Sequence, residues 1–213
     1  MPGLLITVEG IDGSGKTTQL ERLAAYCQSR GLEVLLTREP GGTPLGVQLR
    51  TVLLAGEPGS VDPLAELLLY AADRAQHVRQ VILPALEAGK MVLCDRYTDA
   101  SLAYQGYGRG FALPLVQQLN QLATGGLLPD RTLLYDLEVA EGLRRTRHRG
   151  FAREADGLDR LDREAVEFHQ RVRQGYLAVA AEAPDRVRLL SAMGTVDAVF
   201  VRTREAVVDL LPE

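Results

Sequence analysis

Leu4-Leu5-Ile6-Thr7-Val8-Glu9-Gly10-Ile11-Asp12-Gly13-Ser14-Gly15-Lys16-Thr17-Thr18 is the stretch that decides the fold. Its apolar start, Leu4 to Val8, reads as a buried strand. Gly10 to Thr17 then matches G-x-x-x-x-G-K-[ST], and residues 16–30, rich in Leu and Ala, read as an amphipathic helix that stops at Gly31. Strand, glycine loop and helix in that order make a phosphate cradle. The glycines let the loop bend so that backbone N–H groups point inward, and the helix N-terminus adds positive potential. Lys16 is placed to reach the β- and γ-phosphates of a nucleoside triphosphate, and the Thr17 hydroxyl to ligate Mg²⁺. Gly10, Ile11, Asp12, Gly13, Ser14, Gly15, Lys16, Thr17 and Thr18 are therefore the candidate nucleotide-binding positions.

Four more apolar runs follow: Glu33 to Thr37, Met91 to Cys94, Thr132 to Tyr135 and Val187 to Leu190. Such nearly continuous hydrophobicity belongs to a parallel sheet covered on both faces. Helical patterns lie between the runs. Asp62-Pro63 is an N-cap followed by proline at the first helical position, and Leu64, Leu67, Leu68, Ala71 and Ala75 behind it form a core-facing stripe. Residues 160–182 repeat the pattern with Leu161, Phe168, Val172 and Tyr176, and residues 196–211 with Val196, Val199, Phe200, Val207 and Leu210. Strands alternating with helices predict an α/β, three-layer P-loop NTPase fold, with a five-stranded parallel sheet flanked by helices. The 213 residues suit one domain spanning 1–213. In such a sheet the chemistry sits just beyond the carboxyl ends of the strands.

Composition narrows the partners. A net charge of −4 argues against a nucleic-acid coat protein. No apolar run approaches the roughly 18 residues of a membrane span. The N-terminus lacks a basic start and a cleavage site, so it reads as a strand and not as a signal peptide. Cys27 and Cys94 sit in apolar company with no metal-ligand spacing, which fits a reducing, cytoplasmic location. Lysine occurs only at Lys16 and Lys90 among 24 basic residues. Genome composition accounts for most of that bias; the sharper alternative is that some arginines fork onto phosphates.

A phosphate loop alone says that a nucleoside triphosphate binds. GTPases are set aside, because neither lysine belongs to an N/T-K-x-D motif. A small acceptor kinase fits the length. Asp95 and Asp136 each follow an apolar run, and either suits the Mg²⁺-linked acid of the site. Asp136 reads more simply as a helix N-cap, whereas Asp95 is followed by Arg96, a pairing suited to a metal and anions together. Tyr70 and Arg74 share a helix face, as do Ser101 and Gln105. These pairs equip a second, nucleobase-sized site and argue against a P-loop regulator without transfer chemistry. A kinase for another acceptor remains open on the same residues.

Taken together, the motifs resemble those of bacterial thymidylate kinases over essentially the whole chain. The matching pieces are Glu9 to Thr18, Thr37-Arg38-Glu39-Pro40-Gly41-Gly42-Thr43, Tyr70-Ala71-Ala72-Asp73-Arg74, Asp95-Arg96-Tyr97 leading to Ser101-Leu102-Ala103-Tyr104-Gln105-Gly106, Pro129-Asp130, and Asp159-Arg160-Leu161-Asp162. The resemblance implies phosphorylation of dTMP to dTDP with ATP as donor and Mg²⁺, in-line and without a general base, in the service of dTTP synthesis. It also implies a homodimer packed through helices, with the apolar 62–88 helix contributing. It places Tyr70 on the thymine face, Arg74 at O4, Ser101 and Gln105 at the N3 edge, and Tyr104 against the sugar C2′. Asp12 falls at the 3′-hydroxyl and helps order the metal shell, to which Glu39 adds, and Arg38, Arg50 and Arg96 fall on the acceptor phosphate. Lys16, Arg96 and Asp95 are the catalytic candidates, with Thr17 and Asp95 at the metal. Many relatives carry serine where this chain has Ala100, which removes one local polar contact. Residues 144–163 hold seven arginines. With no arginine in the phosphate loop, the resemblance makes about 144–160 an arginine-rich lid, with Arg149 or Arg153 reaching the transferring phosphoryl group and Arg160 serving ATP or lid closure.

Overall fold

The computed structural model describes residues 3–211 except 153–158, and residues 149–152 by their backbone. Five strands, β1 (Leu4–Glu9), β2 (Val34–Arg38), β3 (Met91–Asp95), β4 (Arg131–Asp136) and β5 (Val187–Ser191), form one parallel sheet in the order β2-β3-β1-β4-β5. The expected runs are all strands, each within about a residue of its bounds. β1 is central because both its edges are paired and nearly every residue is buried. Alternate side chains go to opposite faces. Ile6, Val8 and Leu93 pack with Leu20 and Leu23, whereas Leu5, Val92 and Cys94 pack with Val78, Ile82 and Ala85. Burying one such leucine contributes about 1.5–3 kcal/mol. The edge strands are only half covered: Leu36 of β2 and Leu189 of β5 are 43% and 52% exposed.

The helices are α1 (Lys16–Ser29), α2 (Pro44–Leu54), α3 (Pro63–His77), α4 (Leu83–Glu87), α5 (Thr98–Ser101), α6 (Leu113–Thr124), α7 (Val139–Ala152), α8 (Val166–Glu182) and α9 (Val196–Glu205). A π-helical segment, Val78–Ile82, makes α3 and α4 continuous, and another, Leu102–Gly108, continues α5. Asp62 caps α3 as its sequence predicts, and Thr43 and Thr195 cap α2 and α9 in the same way. Asp62 accepts from the N–H of Leu64 at 2.9 Å, Thr43 from Gly46 and Thr195 from Ala198.

Three expectations need correction. The stripe on α3 faces the core only in part: Leu67 is buried, but Leu64 and Leu68 are about half exposed, and the rest of the buried face is polar, with Glu66, Asp73, Arg74 and His77. Periodicity finds an apolar face but cannot say what lies opposite it, and here the polar face roofs the cleft described below. Asp136 does not act as a helix cap; both its oxygens take the Arg173 guanidinium, at 2.7 and 3.0 Å. The late helix begins at Val166, not at residue 160, because Asp159 turns the chain by accepting from the N–H groups of Leu161 and Asp162. Leu161, Phe168, Val172 and Tyr176 are buried as expected.

Candidate active site

Register brings three strand ends together: Val8 lies beside Asp95, and Arg38 lies beside Asp95 on the other side. The loop after β1 runs into α1 through Gly15, whose φ of 82° and missing side-chain cap contrast with α2, α3 and α9. No acidic residue stands in the first turn of α1. Its leading N–H groups are thus left to an anion. Ser14 Oγ is buried and has no partner among the described residues, which fits a phosphate oxygen as its partner. Gly13, at φ 82°, backs onto Gly142 so closely that a Cβ would strike its carbonyl. Lys16 is 6% exposed, with Nζ 3.5 Å from Asp12 Oδ1. Thr17 Oγ1 donates to Asp95 Oδ2 at 2.8 Å. A hydroxyl and a carboxylate together are the hard oxygen donors that Mg²⁺ prefers. Thr18 and Arg38 are exposed, and Arg38 lines a small cleft with Thr17 and Asp95.

Beside this loop opens a second cleft. Asp12, Glu39, Arg50, Tyr70, Arg74, Arg96, Ser101, Tyr104 and Gln105 all line it, so every expected acceptor residue except Arg38 converges there. Arg38 is not far: the side-chain stems of Arg38 and Arg50 both lie within 4 Å of the place a Gly41 Cβ would occupy. Gly42 has no room for a side chain, because His77 fills that space. The Pro40–Thr43 loop is thereby seated on α3, with Asp73 Oδ1 accepting from the Gly41 N–H at 3.2 Å. Burial, helped by the nearby Glu39 charge, pushes the Asp73 carboxyl up to about 6.

Arg96 is the centre of the arrangement. It holds φ of 70°, which is strained for a residue with a side chain, and the strain stands at the meeting of the two clefts. Its backbone is clamped: its N–H donates to the Val8 carbonyl at 3.0 Å, and the next N–H, of Tyr97, to Glu9 Oε1 at 2.7 Å. The guanidinium donates to Asp12 Oδ1 at 2.8 Å and to the hydroxyls of Tyr104 and Tyr176, both at 3.0 Å. Burial alone would raise the Asp12 pKa, but Arg96 and Lys16 outweigh it and hold the carboxyl well below the usual range. Tyr104 also donates to Asp12 Oδ2 at 3.0 Å.

Glu9 was quoted from the sequence without a role. It is fully buried at the end of β1 and accepts from the Tyr97 N–H and, at 2.7 Å, from the Tyr176 hydroxyl. Burial, reinforced by the Asp99 charge, pushes its carboxyl up to about 7. A raised carboxyl favours the fold in its protonated form. The contribution is complete below the unfolded value of about 4.5 and is lost as pH rises through about 7. We therefore expect Glu9→Gln to gain stability relative to the parent between pH 4.5 and 8, by on the order of 2 kcal/mol. Denaturant titrations across that range would show it, and parallel stability curves would contradict it.

Arg74 spends four donors within the protein: on Glu39 Oε2 (2.8 Å), Ser101 Oγ (2.8 Å), Asn120 Oδ1 (2.7 Å) and the Tyr97 carbonyl (2.8 Å). His77 Nδ1 pairs with the other Glu39 oxygen at 2.9 Å. Asn120, His77, Glu66 and Tyr176 are parts of the site that sequence reasoning missed, since nothing local to them signals a shared partner. Arg160, expected to serve ATP or lid closure, is bonded within the protein in this structure. It is fully buried, donating to the Leu53 carbonyl at 3.0 Å and to Glu66 Oε2 at 2.5 Å. It shares Glu66 with Arg109, and its geometry makes it a brace of the acceptor cleft. Arg153 lies outside the described residues, as does the side chain of Arg149. The first part of the expected lid is the second half of α7, from which Arg145 reaches the Gly13 carbonyl at 3.5 Å.

Known proteins resemble this chain over most of its length. A family model described as thymidylate kinase matches residues 8–201. The thymidylate kinase of Syntrophotalea carbinolica is 54% identical over 197 residues, covering 92% of this chain and 91% of that one. That of a Synechococcus species is 52% identical over 209 residues, covering 98% and 96%. The solved structure of thymidylate kinase from Ehrlichia chaffeensis superposes with a TM-score of 0.75 at 35% identity, covering 96% of this chain and 98% of that one. With the phosphate loop, the strained arginine and the nucleobase-sized cleft in one order and one place, the chain belongs to the thymidylate kinase family.

Proposed function

We propose that the chain phosphorylates dTMP to dTDP with ATP as donor and Mg²⁺ as the metal. The observation that carries this reading is the convergence of nine acceptor residues in one cleft that meets the phosphate loop at Asp12 and Arg96. Tyr70 stacks on the thymine ring, Arg74 reads O4, and Ser101 and Gln105 flank the N3 edge. Tyr104 crowds the sugar and Asp12 takes the 3′-hydroxyl, with Glu39 anchoring Arg74 behind them. Arg38, Arg50 and Arg96 fork onto the acceptor phosphate.

That phosphate oxygen is already an anion, so it attacks the γ-phosphorus directly. The new P–O bond forms as the bond to the ADP oxygen breaks, and no general base is needed. Lys16 and Arg96 neutralise the charge that spreads over the transferring group. Thr17 and Asp95 would hold Mg²⁺ through their oxygens, and the metal would offset phosphate charge. The α7-side segment of about 144–160 closes over the phosphates, with Arg149 or Arg153 as its contact, and excludes water that would otherwise take the phosphoryl group. The chain acts as one kinase domain in the cytoplasm, without nucleic-acid or membrane partners. It works as a homodimer: α2, α3 and α6 expose Val47, Val52, Leu64, Leu68 and Leu122 on faces that a second copy would cover. No helix among the described residues is long and apolar enough to cross a membrane.

The test is ADP formation with ATP-Mg²⁺ and a panel of nucleoside monophosphates. dTMP should exceed dCMP, dAMP and dGMP by orders of magnitude in kcat/KM. Equal rates, or acceptor-independent ADP release, would refute the assignment.

A further inference from the structure

We propose that Glu66 is a positioning residue that sets the Gln105 amide so that the cleft reads a 4-oxo pyrimidine and rejects a 4-amino one. The inference rests on the dTMP reading above and deepens it. Gln105 lines the acceptor cleft, and its Nε2 donates to Glu66 Oε1 at 3.0 Å. An ionised carboxylate only accepts hydrogen bonds, so the amide nitrogen must face Glu66 and the amide oxygen is the end left for the cleft. The chemistry of the partner therefore decides an orientation that geometry alone leaves ambiguous.

Glu66 is itself held rigidly. It is fully buried on α3, one helical turn before Tyr70. Arg109 donates Nε to Oε1 at 3.1 Å and Nη2 to Oε2 at 3.0 Å, and Arg160 donates to Oε2 at 2.5 Å. Burial works against ionisation, but the hydrogen bonds from Arg109, Arg160 and Gln105 outweigh it and keep the carboxyl below its usual range. Two guanidinium groups thus fix an acceptor, and that acceptor fixes Gln105.

Arg74 supplies the other half of the pattern. Its Nε, both Nη1 positions and one Nη2 position are spent on Glu39, Ser101, Asn120 and the Tyr97 carbonyl. One Nη2 hydrogen has no partner among the described residues, and Arg74 lines the same cleft as Gln105, so the two can offer a bound base a donor and an acceptor. A donor next to an acceptor complements a 4-oxo group next to N3–H, the edge shared by thymine and uracil. Cytosine presents the reverse, an amino group next to an unprotonated N3. A site whose buried polar groups are set for one edge leaves them unpaired against the other. The discrimination is therefore anchored on α3, where Glu66 and Arg74 stand two turns apart, and is read through Gln105 on the segment after α5.

The experiment compares kcat/KM for dTMP and dCMP in the parent, Glu66→Gln and Arg109→Met. A glutamine at 66 can donate to the Gln105 oxygen, which frees the amide to turn its nitrogen toward the cleft. The dTMP/dCMP ratio should then fall about ten- to a hundredfold. Arg109→Met removes another Glu66 partner but leaves the Gln105 bond, and should leave the ratio where it is. If Glu66→Gln does not fold because of the unpaired guanidinium, Glu66→Gln/Arg109→Met carries the same expected fall. An unchanged ratio in folded Glu66→Gln overturns the proposal, and so does an equal fall in Arg109→Met, which would make Glu66 a general brace. Absence of dTMP turnover in the parent would instead overturn the reading on which the proposal rests.

Discussion

Lys16→Ala should lower turnover about a thousandfold while leaving the fold intact. The lysine is buried within its own loop, and its ion pair with Asp12 is long at 3.5 Å. Asp12 keeps the shorter 2.8 Å pair with Arg96 when the lysine is removed, so the loop does not lose its balancing charge. The leading N–H groups of α1 and the Gly13 contact with α7 are backbone features that the substitution does not touch. What disappears, on the proposed function, is the cation that would reach the transferring phosphoryl group. Steady-state turnover alongside a thermal melt separates the two effects. Normal turnover in a folded variant would remove the loop from the chemistry.

Arg96→Lys comes second in size, and the conservative replacement is the informative one. The guanidinium serves Asp12, Tyr104 and Tyr176 at once, from a backbone held at φ 70° by Val8 and Glu9. A lysine keeps the charge but has no planar fork, so it cannot hold two acceptors and present an edge to an incoming phosphate. We expect kcat to fall at least a hundredfold with a rise in the KM for dTMP, and the KM for ATP to change less. Near-normal kcat in Arg96→Lys would show that charge alone is sufficient and that the network around Asp12 is only structural.

Much of this molecule is legible in its sequence, because local pattern carries fold and local motifs carry the phosphate loop. Five apolar runs became five strands, and nine of the ten acceptor residues meet in one cleft. What stays hidden are partnerships across the chain. Glu9 and Tyr176 are separated by 167 positions and meet only because β1 and α8 pack together. Glu66 looks like a helix-surface acid until Gln105, Arg109 and Arg160 arrive from later segments. Arg160 illustrates the same limit from the other side, since a cation near a lid motif reads as a ligand contact until its burial is known. The outward turn of Leu64 and Leu68 is equally invisible to periodicity, which measures an apolar face and not its neighbour.

Transfer of label from ATP carrying a radioactive γ-phosphate tests the central claim most directly. With dTMP and Mg²⁺ present, label should appear in dTDP in step with ADP, one for one, with little in inorganic phosphate and little ADP when dTMP is left out. Label accumulating in inorganic phosphate at the same rate with and without dTMP would contradict it.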